Sequence, residues 1–347
     1  MISLNGIEKI YRQGNALIHA LKGITLNIEQ GEIFGIIGRA GAGKSALIRS
    51  INLLEHPSSG SVVVDRCDLT TLTTDALRQA RRHIGMVFQH CNLMSSRTVF
   101  ENIALPLEMN GASHDTIEAT VRPLLALTQL SNKSDAYPKE LTSGQKQLVA
   151  IARALVTTPK VLLCEEVTAA LDSKTKQLIL QILHEINQRH KTTIVLITHE
   201  MEVIKTLCDR VAVLHQGEVV EQSSVLEFFT HPRSDIGKDF VKASARHEMP
   251  NSLRNSLRAK SAPNYNPILR IAFKDPDTQE SFIGYVVQQF NLSVNIIQAH
   301  LEEIRESTVG IMTVEIIGDE NETKRAIQFL EVKDIYVEVL GYAQRST

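Results

Sequence analysis

The chain has 347 residues, 43% of them apolar and 22% charged, with a formal net charge of −2. That length exceeds what one compact core usually holds, so two domains are expected. The near-neutral charge argues against a general nucleic-acid binder. No apolar run approaches the ~18 residues of a membrane span, and the first twenty residues carry Glu8, Lys9 and Arg12 with no apolar signal-peptide core, so a cytosolic protein is expected.

Residues 2–10 and 25–28 read as short strands of an antiparallel piece. Tyr11, between them, is placed to stack on an adenine ring or to pack into the core. Residues 32–37 form a short apolar run that reads as a buried strand, and residues 46–54, without Gly or Pro, read as a helix. Between them lies Gly38-Arg39-Ala40-Gly41-Ala42-Gly43-Lys44-Ser45, which matches the phosphate-cradling pattern G-x-x-x-x-G-K-[ST] at every fixed position. Glycines let backbone N–H groups turn toward phosphate oxygens, and the helix N-terminus adds partial positive charge. Lys44 is then placed for the β- and γ-phosphates and the Ser45 hydroxyl for Mg²⁺.

Residues 58–60 mark a turn, 61–65 a strand, and 77–82 a basic helix with a solvated face. Residues 84–88 form another strand, and Gln89 at its end points into a ligand crevice, toward Mg²⁺ or the attacking water. Residues 98–130 follow helical spacing, with Pro106 and Pro123 as expected interruptions, and read as a surface for partners. Leu141-Thr142-Ser143-Gly144-Gln145 opens a helix expected over 146–157, a second anion site. Residues 161–164 form a buried strand ending in Glu165 and Glu166, which suit a metal-linked position followed by a general base. Ala170-Leu171-Asp172 reads as a tight turn, with Ser173 as N-cap of a helix over 174–188. Residues 192–197 are the next buried strand, closed by Thr198 and by His199, which is placed for the γ-phosphate or the water. Residues 211–214 and 218–220 read as a hairpin. Cys67, Cys91, Cys164 and Cys208 lie far apart and read as plain thiols in a reducing compartment.

These motifs, in this order over residues 1 to about 240, resemble the ATP-binding subunits of ABC transporters. The resemblance implies an α/β fold: a P-loop ABC-type ATPase domain over 1–241, with antiparallel β and helical subdomains. It implies Mg²⁺-ATP held by the phosphate loop, Tyr11 on the base, and Ser45, Gln89 and Glu165 at the metal. Glu166, His199 and Gln89 become the catalytic set, and Thr142, Ser143, Gly144 and Gln145 the signature. Two copies are implied to pair head to tail, each ATP lying between the phosphate loop of one and the signature of the other. Phe88-Gln89-His90, Leu93-Met94-Ser95-Ser96-Arg97 and Ile197-Thr198-His199-Glu200-Met201 narrow the resemblance to the ATPases of bacterial methionine importers. That implies import of D- and L-methionine by two ATPases and two membrane permease subunits, fed by an extracytoplasmic substrate-binding protein. It also implies peripheral attachment at the cytoplasmic face of the inner membrane. Four positions depart from the family pattern. Glu165 stands where Asp is usual, Thr142-Ser143 replaces Ser-Gly, and Leu148 replaces an Arg.

Residues 242–264 carry five Lys/Arg and one acid and read as a linker, whereas 265–347 carry seven basic and thirteen acidic residues. In that second segment the expected order is strand 268–273, helix 281–290, strands 294–300 and 309–317, helix 322–330 and strand 335–340. This β-α-β-β-α-β order is ferredoxin-like. It resembles the ACT-like ligand-sensing domain of methionine-importer ATPases, implying feedback by bound methionine, expected around Asn295, Ile296, Gly310 and Met312. A purely structural dimerisation domain is the other reading of this segment. For the whole chain, one alternative is an ABC ATPase doing mechanical work on a division or repair complex. Another is an importer ATPase for a different amino acid, and a third is a sensor with a decayed ATPase, against which Lys44, Glu166 and His199 argue.

Overall fold

The computed structural model describes residues 1–14, 16–244, 256–262, 264–274, 282–305, 307–333 and 335–344. The chain divides into two compact units, Met1–Ser224 and Val225–Thr347.

The first unit holds two sheets. Strands β1 (Ile2–Gln13) and β2 (Ala16–Ile28) are longer than the expected 2–10 and 25–28. They pair antiparallel, and β1 also pairs antiparallel with β4 (Ser59–Val64). With β5 (Cys67–Asp68) they form a sheet of order β2-β1-β4-β5. The second sheet contains β3 (Ile33–Ile37), β6 (Ile84–Val87), β7 (Val161–Glu165), β8 (Thr193–Ile197), β9 (Arg210–His215) and β10 (Glu218–Ser224). Its order is β10-β9-β3-β8-β7-β6. All its neighbours are parallel except the β9–β10 hairpin. Every residue of β3, β7 and β8 is buried, as continuous apolar runs require when helices cover both faces. One core cluster joins the two sheets to the helix Lys44–Ile51, with Leu4, Leu26, Phe34, Leu47 and Leu163 among its members.

Several expectations are corrected. Pro106 and Pro123 lie inside the helices Val99–Met109 and His114–Leu127 rather than ending them. Buried Val99, Ile103 and Ala104 carry the first of these helices past its proline, and the chain breaks at Gly111, φ +74°. The basic helix, Thr74–Arg81, is not simply solvated, because Arg81 donates from Nε and Nη2 to the carbonyls of Asn52 and Leu53 (2.8 and 2.6 Å). The helix after the signature starts at Ser143, not 146. Asp172, not Ser173, caps the helix Ser173–His190, because its carboxylate accepts from the Thr175 amide.

The second unit contains β11 (Tyr265–Lys274), β12 (Ser293–Ile304), β13 (Ser307–Ile317) and β14 (Tyr336–Gln344). They form one antiparallel sheet of order β12-β13-β11-β14. Helices Phe282–Gln289 and Glu320–Val332 contribute Val286, Ala326 and Leu330 to a core shared with Leu269, Ile271, Phe273 and Val314. This is the ferredoxin-like order expected, although Ser281 lies outside the described residues. Helices Val225–Thr230 and Asp235–Ser244 cluster with this unit instead of closing the first. Most of the expected linker, residues 245–255 and 263, lies outside the described residues.

Gly310 faces the Phe273 ring so closely that a Cβ there would sit 2.3 Å from Cζ. Gly310→Ala is expected to lower stability by about 1–3 kcal/mol through overpacking. Urea unfolding of the full chain checks this, and an unchanged midpoint would refute the packing.

Candidate active site

The order β3-β8-β7-β6 brings four strand ends side by side. The phosphate loop leaves β3, Glu165 ends β7 and Glu166 follows it, Thr198 and His199 follow β8, and Gln89 follows β6 by two residues. In open parallel sheets the ligand crevice lies beyond the carboxyl ends of the strands, which is where these residues meet.

Two glycines shape the loop. Gly43 has φ +102°, and a Cβ on it would lie 2.4 Å from the Ala20 carbonyl oxygen. A Cβ on Gly38 would lie 2.4 Å from the Leu214 carbonyl oxygen. Any side chain at either point would displace backbone, so the loop stays thin and its amides stay accessible. Gly43 caps the helix Lys44–Ile51, which directs that helix's N-terminal amides at the loop. Lys44 Nζ donates to the carbonyls of Gly38 (2.7 Å) and Arg39 (3.2 Å). Burial pulls the Lys44 ammonium below its ordinary pKa, and nearby Glu166 opposes that shift.

Glu166 has φ +49°, an uncommon conformation for a non-glycine residue, and its amide donates to the Ile197 carbonyl (3.0 Å). Its Oε2 accepts from His199 Nδ1 at 2.8 Å. The Glu166 side chain is 13% exposed and that of His199 62%. A mostly shielded carboxylate oriented by an accessible imidazole is a credible base for activating water.

Glu165 behaves differently. Its side chain is 3% exposed, and both carboxylate oxygens accept from Arg49 Nη2 (3.2 and 3.1 Å). Arg49 also pairs with Glu55 (3.4 Å), and Glu55 accepts from the Tyr11 hydroxyl. Burial, then the hydrogen bond to Glu55, pushes the Tyr11 phenol up to about 12. Tyr11 also packs, half-buried, against the core cluster, as the core-packing reading of that ring expects. The extra methylene of Glu165 is thus taken up by a counter-ion, which the sequence reading missed. No local spacing exposes this partner, because Arg49 and Glu165 lie 116 residues apart.

At the signature, Thr142 Oγ1 accepts from the Gln145 amide (3.3 Å) and Gln145 Oε1 accepts from the Thr142 amide (3.0 Å). This reciprocal capping box opens a 13-residue helix. Thr142 and Ser143 are exposed, Gly144 is buried and Leu148 is buried in the helix's packed face.

The expected ligand residues of the second unit do not converge. Gly310 lies under Phe273, and Met312 packs on the helix-side core. Ile296 stands opposite Val314, a member of that same core, whereas Asn295 stands opposite Glu315 on the other face and donates to it at 3.4 Å.

Comparison with known proteins fixes the family. The methionine import ATP-binding protein MetN of Chromohalobacter salexigens is 49% identical over 345 residues, 99% of each chain. The chain belongs to the methionine import ATP-binding protein family. The MetN of Escherichia coli O157:H7 is 46% identical over 342 residues, covering 99% of this chain and all of that one (100%). The ABC transporter family profile matches residues 21–169 and the NIL domain profile residues 267–339. A solved dimer of the ATP-binding cassette MJ0796 bound to ADP and Pi aligns with TM-score 0.62 and 36% identity, covering 65% of this chain and 99% of that one. The chain is thus an ABC-type ATP-binding subunit and an ATPase. Among the described residues no helix is long and apolar enough to cross a membrane.

Arg49→Ala leaves the Glu165 carboxylate buried without its counter-ion. The expected loss is about 1–3 kcal/mol of stability, from an unsatisfied buried acceptor, read as a lowered melting temperature. A melting temperature equal to that of the unaltered chain would show that the pair contributes nothing.

Proposed function

We propose that this chain is the ATP-hydrolysing subunit of a methionine importer, working as a head-to-tail pair beneath two membrane permease subunits at the cytoplasmic face. The observation that carries the reading is the His199–Glu166 contact at the strand ends, beside a complete phosphate loop. The loop amides and Lys44 bind the phosphates. Tyr11 faces the base. Glu166 accepts the proton of the attacking water, and His199 orients that carboxylate and reaches the γ-phosphate.

Mg²⁺ favours oxygen donors and keeps several waters. Ser45 and Gln89, both exposed, would supply such donors, and Glu165, with both oxygens held by Arg49, would add negative charge at the same strand ends. When bound, Mg²⁺ would neutralise charge on the β- and γ-phosphates. Gln89 reads the phosphate end of the site from the strand beside it.

Pairing gives the second anion site its purpose, because Thr142, Ser143 and the Gly144 amide would close over the ATP of the partner copy. The solved dimeric cassette supports this arrangement. A groove of about 560 Å³ in the first unit suits the permease. Phe88, Met86, Met94, Met109 and Pro106 line it, with Arg78 and Arg153 among its basic residues. Met94 and Met109 are 47% and 76% exposed, and adaptable thioethers of this kind suit a docking surface. Phe88 immediately precedes Gln89, so an apolar permease segment seated there would bear on the catalytic crevice. An extracytoplasmic binding protein would deliver methionine to the permease.

The NIL domain is read as the methionine sensor. Bound ligand slows hydrolysis only if it prefers the separated form of the pair, since equal affinity shifts nothing. Asn295, beside Glu315, is the polar group retained from the expected site.

Two measurements test the reading. Lys44→Ala is expected to reduce ATP hydrolysis about 10²-fold, as loss of one electrostatic donor at a reacting phosphate does elsewhere. An unchanged rate would remove the phosphate loop from the chemistry. L-Methionine titrated calorimetrically into the full chain should bind saturably, and Asn295→Ala should abolish the heat. No heat from the unaltered chain would return the second unit to a structural role and reopen the identity of the solute.

A further inference from the structure

A run of contacts inside one chain joins the signature to the His199–Glu166 pair. Gly144 packs against Thr175: a Cβ on Gly144 would sit 2.7 Å from Thr175 Cγ2 and 3.1 Å from its Oγ1. Asp172 holds Thr175 in turn, accepting from its amide (3.0 Å) and its hydroxyl (2.7 Å). Those hydrogen bonds keep the Asp172 carboxyl below its ordinary pKa range. One residue further along the helix, Lys176 Nζ pairs with Glu200 Oε2. The other Glu200 oxygen accepts from Thr168 Oγ1 at 2.9 Å, and the Glu200 amide donates to Thr198 Oγ1 at 3.0 Å. Thr168 is buried and lies two residues after Glu166, while Glu200 directly follows His199. Glu200 therefore ties three segments together: the start of the helix Ser173–His190, the chain leaving Glu166, and the chain carrying His199.

We propose that Glu200 is a positioning residue that couples the two ATP sites of the pair, through Lys176 and Thr168. The inference rests on the head-to-tail pairing proposed above. In that pair the signature of one chain touches the ATP bound by its partner, whereas Glu166 and His199 of the same chain act on its own ATP. The Gly144–Thr175 contact leaves no gap to absorb a shift of the signature helix, and close-packed interiors transmit strain. The helix Ser173–His190 carries a shift of Thr175 to Lys176 as a rigid element. The Lys176–Glu200 pair then passes it to the two segments that position base and histidine. Lys176 and Glu200 side chains are 29% and 19% exposed, so the pair is screened less than a fully solvated one. A surface staple would alter stability alone. A coupling element alters how one site responds to the other.

The test is steady-state ATP hydrolysis by the full chain as a function of ATP concentration, for the unaltered protein, Glu200→Gln, Lys176→Met and the reciprocal exchange Lys176→Glu with Glu200→Lys. The unaltered chain is expected to respond cooperatively. Each single substitution should leave KM within about twofold while kcat falls at least about fivefold, the low end of coupling between linked sites, and the Hill coefficient falls to about 1. The reciprocal exchange should recover part of both. Circular dichroism confirms folding, and Lys176→Met carries the test if Glu200→Gln fails to fold. If the unaltered chain is cooperative and the variants match it in kcat and Hill coefficient, the Glu200 role is wrong and the pairing stands. If the unaltered chain itself shows a Hill coefficient of about 1, the two sites act independently and the coupling is overturned.

Discussion

The hydrogen bond between His199 and the Glu166 carboxylate is possible only because β8 and β7 are parallel neighbours that end together. Glu165 stands opposite Ile197, so Glu166, one residue beyond β7, and His199, two residues beyond β8, meet across the sheet end. β3 on the far side of β8 delivers the phosphate loop to the same edge, and β6 beyond β7 delivers Gln89. The apolar runs of β3, β7 and β8 hold that order by burial on both faces.

The glycine loop is legible in the sequence because its chemistry fixes both residue types and spacing. Gly38 and Gly43 are required by backbone that approaches within a Cβ's radius, and Lys44 and Ser45 follow at fixed places. Glu166 and His199 are legible because each follows a buried apolar run. The ferredoxin-like order of the second unit is legible from its alternation and its punctuation. Boundaries are harder. Pro106 and Pro123 mislead because helix packing overrides local breakers, and Ser173 misleads because Asp172 one residue earlier is an equally good cap with a better placed carboxylate.

Long-range partners are what the sequence hides. Arg49 and Glu165 lie 116 residues apart, and Lys176 and Glu200 lie 24 apart, so no local pattern links them. The expected regulatory residues divide between two faces for a related reason. Face alternation in β12 and β13 puts Asn295 on one side of the sheet and Ile296, Gly310 and Met312 on the other. The departure at Glu165 also changes meaning once its partner is known. The longer acid is accommodated as an ion pair with Arg49, whose other contact, Glu55, leads to Tyr11. Substitution at that position therefore acts on a network reaching from Glu165 through Arg49 and Glu55 to Tyr11.

The central claim is that ATP is held between two copies of this chain. The direct measurement is light scattering of the Glu166→Gln variant with Mg²⁺-ATP, since loss of the base keeps ATP intact while the binding groups remain. The account predicts a species of twice the 38.6 kDa chain mass, formed only with nucleotide. A species that binds ATP yet stays at 38.6 kDa would contradict it.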